Sequence, residues 1–156
     1  MTARASAVDF IAYDREGRIV LLAESKTRRG ASDQWAARLR RNMLSHGVLP
    51  WAKYFLIATP ERLYLWKQER PDPSEVASDF TIDTTKEFQP WSSEMLRRLH
   101  LDLSDIGPEA FELLVLTWLT DIARSDNGSN RDVSTPWLSE FTGSLQQARI
   151  EMNPVQ

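Results

Sequence analysis

Cysteine is absent from the 156 residues, and that absence removes several chemistries at once. No disulfide framework, thiolate zinc site, iron–sulfur cluster or cysteine nucleophile is available. Histidine is scarce: His46 and His100 are the only two, too few for a histidine metal cage and without a spacing that pairs them with other ligands. No apolar run approaches the roughly 20 residues needed to cross a bilayer. The opening stretch, Met1 to Asp9, holds one arginine and no long apolar core, so it does not read as a secretory signal. No serine sits in a nucleophile-elbow pattern. These exclusions lead to the expectation of a soluble cytoplasmic protein with no membrane partner, in which oxygen atoms would have to hold any metal.

What is present is ordinary globular material: 42% apolar and 26% charged residues, in a length that suits a single domain spanning 1–156. The net charge of −3 hides an asymmetry. Residues 1–70 carry 13 Lys/Arg against 7 Asp/Glu, a balance of +6, whereas residues 71–156 carry 6 against 15, a balance of −9. A basic first half suits a polyanionic partner on one face, although a mixed solvated surface gives the same arithmetic.

Val8 to Tyr13 and Arg18 to Ala23 read as two strands around the turn signal Asp14-Arg-Glu-Gly17. Ser32 is a good N-cap for a helix carrying Trp35, Ala36, Leu39 and Met43 at helical spacing, ended by Gly47 and Pro50. Lys53 to Thr59 and Arg62 to Lys67 are β-prone, and residues 68–78 form a loop. A short strand is expected at Phe80 to Ile82, with helices at 91–99 and at Pro108 to Arg124. The latter carries the stripe Phe111, Leu114, Val115, Trp118 and Ile122. A polar loop follows at 125–135, then a weakly helical and finally extended end. The order is β-β-α-β-β over 7–67, then a mostly helical portion over 79–152, which makes a mixed α/β or α+β domain.

The informative residues lie at the end of the second strand. Glu24 and Lys26, two apart on an extended chain, point to the same face. If Glu16-Gly17 is a two-residue hairpin loop, counting outward places Asp9 opposite Glu24 with Cβ atoms about 4.5–5.5 Å apart. A four-residue loop keeps them on one face but offset, and a three-residue loop with a bulge separates them. Two carboxylates so close repel unless a cation or proton lies between them. Oxygen ligands without His or Cys suit Mg²⁺ or Mn²⁺. Such an ion neutralises charge on a phosphate and lowers the pKa of bound water, while Lys26 steadies that water or the phosphate. An ordinary surface ion pair between Glu24 and Lys26 is the plainer alternative. Along the next helix Gln34, Arg38, Arg41 and Ser45 share a stripe, with Arg28, Arg29 and Arg40 nearby, as a phosphate backbone would require. Tyr54, Tyr64, Trp66, Trp91, Trp118 and Trp137 can stack on bases, but their alternating and helical spacing fits a core better.

With these residues in view the sequence resembles the PD-(D/E)XK nuclease superfamily, in particular its small stand-alone bacterial members. Asp9 matches the motif's Asp, although Val8 stands where the motif name has proline. Glu24 and Lys26 match its (D/E)-x-K, the Gln34 helix matches the following helix, and Tyr54 to Ala58 matches the next core strand. The resemblance covers about the first 67 residues. It implies a restriction-endonuclease-like central sheet flanked by helices. It also implies an Mg²⁺ or Mn²⁺ ion held by Asp9, Glu24 and the Ser25 carbonyl, with Lys26 assisting the water and Gln34 orienting the site. Arg28, Arg29, Arg38 and Arg41 would then hold nucleic acid, DNA in preference to RNA, with a homodimer or a partner protein compatible. The family core usually starts with a helix and strand ahead of the motif Asp, and that helix often supplies another acid. Only eight residues precede Asp9, so the Pro108 to Arg124 or Arg149 to Met152 segment is expected to fill that space. The rival expectation is a catalytically inactive binding or assembly module on the same fold. A glycosidase-like carboxylate pair fits less well, because it leaves Lys26 and the arginines without a role.

Overall fold

Two β-prone runs joined by Asp14-Arg-Glu-Gly17 form the hairpin of β1 (Phe10–Tyr13) and β2 (Ile19–Ser25). In the computed structural model, which describes residues 8–46, 49–69, 74–88, 97, 103–124 and 136–152, this hairpin sits inside a larger sheet. The chain continues through α1 (Asp33–His46), β3 (Tyr54–Ala58), β4 (Arg62–Lys67) and β5 (Phe80–Asp83). Then come α2 (Pro108–Arg124), α3 (Pro136–Leu145) and β6 (Arg149–Met152). The six strands form one mixed sheet in the order β5-β4-β3-β2-β1-β6. Only β2 and β3 run parallel, joined by the α1 crossover; every other neighbouring pair is antiparallel. Strands from both halves of the chain thus share a single sheet in a mixed α/β fold. The expected helix at 91–99 lies outside the described residues except for residue 97, which is helical. The polar loop at 125–135 and the side chains of Trp91, Trp137, His46 and His100 also lie outside them.

Helices cover both faces of the sheet, which explains why β3 is buried at every position. On one face Leu22, Phe55, Ile57, Tyr64 and Trp66 pack with Ala36 of α1, flanked by Trp35, Leu39 and Met43. On the other, Phe10, Leu21, Ala23, Tyr54 and Leu56 pack under Phe111, Leu114, Val115, Trp118 and Ile122 of α2 and Phe141 of α3. Each of the larger aliphatic and phenylalanine side chains contributes roughly 1.5–3 kcal/mol when fully buried. Tyr54, Tyr64, Trp66 and Trp118 are therefore core residues, as their spacing implies.

Both helix starts follow their sequence signals. The Trp35 amide donates to Ser32 Oγ at 3.0 Å, the N-cap bond, and α2 begins at Pro108 where a proline lacks only a bond it would not make. α3 likewise begins at Pro136. No helix among the described residues is long and apolar enough to cross a membrane.

Candidate active site

The hairpin turn decides where the two key acids meet. Its loop is Arg15-Glu16-Gly17, not the two-residue Glu16-Gly17: the Gly17 amide donates to Asp14 O at 3.0 Å and the Asp14 amide to Arg18 O at 2.8 Å. Gly17 has φ of 83°, as the last position of such a loop requires. A three-residue loop alone puts Asp9 opposite Ala23. A second irregularity, between Ala12 and Tyr13, leaves Val20 without a partner and moves the register by one. Phe10 then faces Ala23, and that register carried one step outward brings Asp9 beside Glu24. The two deviations cancel, so Asp9 and Glu24 become neighbours by a different route, although their carboxylates turn to different partners.

Asp9 and Glu24 are cross-linked through the backbone. The Asp9 amide donates to Glu24 Oε1 at 3.1 Å, while Asp9 Oδ2 accepts from the Ser25 amide at 2.8 Å and from Ser25 Oγ at 3.0 Å. Glu24 Oε2 makes an ion pair with Lys26 Nζ at 3.1 Å. Side-chain alternation sends Glu24 and Lys26 to the α1 side, along with Leu22, whereas Ser25 follows Ala23 to the α2 side. Asp9 lies between them and leans its carboxylate toward Ser25. Glu24 is only 6% exposed, and burial, with the Asp9 charge second, pushes its carboxyl up to about 7 against the opposing pull of Lys26.

A further acid reaches this point from far along the chain. Glu112 of α2 lines the same cleft as Asp9, and its pKa is raised by burial first and by the Asp9 charge next. Asp9, Ser25, Thr27, Pro108, Glu109 and Glu112 line a cleft of about 150 Å³ at the N-terminal end of α2. The partial positive charge of that helix end favours anions there. β6 meanwhile takes the sheet edge beside β1, Phe10 pairing with Met152. The Pro108–Arg124 and Arg149–Met152 segments therefore both lie beside the start of β1, near Asp9. Glu112 itself was not singled out by sequence reasoning; the one local signal was its place among the acids in the first turns of α2.

The donors gathered here are hard oxygens, which fits Mg²⁺ or Mn²⁺ in kind, with Asp9 and Glu112 at the cleft and Glu24 behind them. As the side chains stand, Glu24 turns to Lys26 and Asp9 to Ser25, and among the described residues no three carboxylates or imidazoles are grouped as a metal cage.

The remaining candidates separate into three groups. Gln34 is exposed in the first turn of α1, with no side-chain hydrogen bond among the described residues. Arg28 and Arg29 are exposed in the loop that leaves β2, with Arg28 stacked over Trp35 at 5.3 Å. Glu61 holds this loop from the β3–β4 turn by accepting from the Gly30 amide at 2.9 Å. Arg38 and Arg41 lie further along α1, both facing Glu75, at 3.9 Å and 2.9 Å. Arg40 is a correction: it is 3% exposed and belongs to the core rather than to a phosphate surface. It donates to Gln68 Oε1 at 3.1 and 2.7 Å and to Ser74 O at 3.2 Å, and lies over the Trp66 ring. Small Ala36 and Ala37 on the same inner face leave room for its long stem.

Comparison with known proteins found no matching family model, no similar curated protein and no similar solved structure.

Proposed function

We propose that the chain is a metal-dependent nuclease of the PD-(D/E)XK type, hydrolysing phosphodiester bonds in nucleic acid, DNA in preference to RNA. The observation that carries this reading is the crowding of acids around Asp9. Glu24 and Glu112 both have raised pKa values, each partly through the Asp9 charge, and Lys26 is the single amine paired within the group. Asp9, Glu109 and Glu112 line one cleft with Glu24 behind them, and negative charge so placed is relieved by protons or by a cation. The order β-β-α-β-β, with Asp9 just before β1 and Glu24 near the end of the paired β2, supports the same reading.

In this account Asp9, Glu24 and the Ser25 carbonyl would hold Mg²⁺ or Mn²⁺, with Glu112 an added carboxylate from α2. When bound, such an ion supplies positive charge to the phosphate and makes water a better nucleophile at neutral pH. Lys26 leaves its pairing with Glu24 to hold the attacking water or to face the phosphate as a point charge. Gln34 orients the site, and Arg28, Arg29, Arg38 and Arg41 carry the phosphate backbone leading to it.

The test is cleavage of single- and double-stranded DNA in Mg²⁺ or Mn²⁺. Asp9→Ala and Lys26→Ala are each expected to lower the rate at least about a hundredfold while circular dichroism stays unchanged. Cleavage by the variants at the parental rate refutes the assignment.

One observation favours a second reading. The Asp9 and Glu24 oxygens already have partners in the Asp9 and Ser25 amides, Ser25 Oγ and Lys26, as in a structural network of a non-catalytic assembly module. That reading predicts no cleavage by the parent under any divalent ion.

A further inference from the structure

The segment just before β5 is fastened across α1 and β4 at three successive residues. Ser74 O accepts from Arg40 Nη1 at 3.2 Å, and Val76 O accepts from Trp66 Nε1 at 2.9 Å. Between these two backbone anchors, the Glu75 carboxylate meets Arg41 Nη1 at 2.9 Å and Arg38 Nε at 3.9 Å. Arg38 and Arg41 are one helical turn apart, on the stripe that starts at Gln34. Their side chains are 54% and 40% exposed, so an incoming ligand can reach them.

A carboxylate and a phosphodiester present guanidinium groups with the same kind of partner, a pair of oxygens sharing negative charge. An acidic side chain set by its neighbours' backbone bonds onto two exposed arginines therefore occupies the position a backbone phosphate would take. We propose that Glu75 is an internal stand-in for such a phosphate, held on Arg38 and Arg41 until a nucleic acid strand running along α1 displaces it. The inference rests on the nuclease reading and extends it: the path to the cleft follows α1, and Glu75 weakens entry along that path. An exposed ion pair is readily exchanged, so Glu75 tunes affinity and does not block binding. Because Ser74 O and Val76 O carry the anchoring bonds, Glu75→Gln removes the charge and leaves the segment in place.

The experiment measures binding of a short fluorescent DNA duplex, and of its single strand, by anisotropy in EDTA across a salt series. The parent is compared with Glu75→Gln, with Glu75→Gln combined with Arg41→Ala, and with Glu16→Gln. The last adds the same charge at the β1–β2 hairpin, where Glu16 faces Arg18. Glu75→Gln is expected to bind roughly three- to tenfold tighter, with the log–log salt slope steeper by about one for every additional phosphate neutralised. Arg41→Ala should reverse most of that gain. An affinity for Glu75→Gln no higher than that of Glu16→Gln overturns the proposal. Cleavage assays keep the two ideas apart. If the parent cuts DNA and Asp9→Ala does not, an unmoved Glu75→Gln affinity sinks only the role of Glu75. If nothing binds and nothing cuts, the nuclease reading fails and the role of Glu75 fails with it.

Discussion

Glu24 is where burial and charge act against each other most directly. Its carboxyl, raised to about 7 by burial and by Asp9, binds a proton more tightly in the folded chain than in the unfolded one. The sign follows: this group adds nothing unfavourable below its unfolded pKa, and it erodes stability as pH rises through its folded pKa. Over that window the loss is on the order of 3 kcal/mol. Urea unfolding at about pH 5 and about pH 8 should show the parent losing stability at the higher pH, with Glu24→Gln flattening the difference. A Glu24→Gln variant that keeps the full slope contradicts the assignment. Glu112→Gln removes a like charge from beside Asp9. It is expected to raise the melting temperature at neutral pH while weakening Mn²⁺ binding, both read in one thermal-shift titration. Arg40 behaves oppositely: Arg40→Ala leaves Gln68 Oε1 and Ser74 O without this partner and should cost about 2–4 kcal/mol in urea unfolding.

At the level of elements, the β1–β2 hairpin shows what a sequence reveals and what it conceals. That Asp9 lies beside Glu24 was legible from counting, but the loop on which the count rested is not the loop that forms, and the expected single face is not kept: Glu24 turns to Lys26 and Asp9 to Ser25. Gly17 tolerates either turn, and nothing local marks Val20 as the residue that slips out of register. Gly17→Ala, at φ of 83°, is expected to cost about 1–2 kcal/mol and to leave cleavage intact, because the slip at Val20 holds the register near the site. Helices were more readable, since periodicity and caps are local: Ser32 and Pro108 each mark a start that the structure has. Arg40 was grouped with its exposed neighbours because a buried arginine needs a partner that the local pattern does not show. Its inner-face position was visible from Ala36 four residues earlier, but its partner Gln68 comes from another strand end.

At the scale of the whole molecule, the second half of the chain completes what the first half begins. β6 extends the sheet past β1, and α2 brings Glu112 and Glu109 to the cleft that Asp9 and Ser25 open. That meeting joins residues about a hundred positions apart, and no local pattern specifies which strand end a helix start will reach. The charge asymmetry also gains a structural meaning. Acids of the second half sit against cations of the first, Glu75 on Arg38 and Arg41 and Glu140 on Lys67. The most direct measurement of the central claim is calorimetric titration of the metal-free protein with Mn²⁺. The account predicts saturable binding near neutral pH that Asp9→Asn and Glu24→Gln each abolish or weaken at least about tenfold. The absence of any binding heat, or equal binding by the parent and both variants, contradicts it.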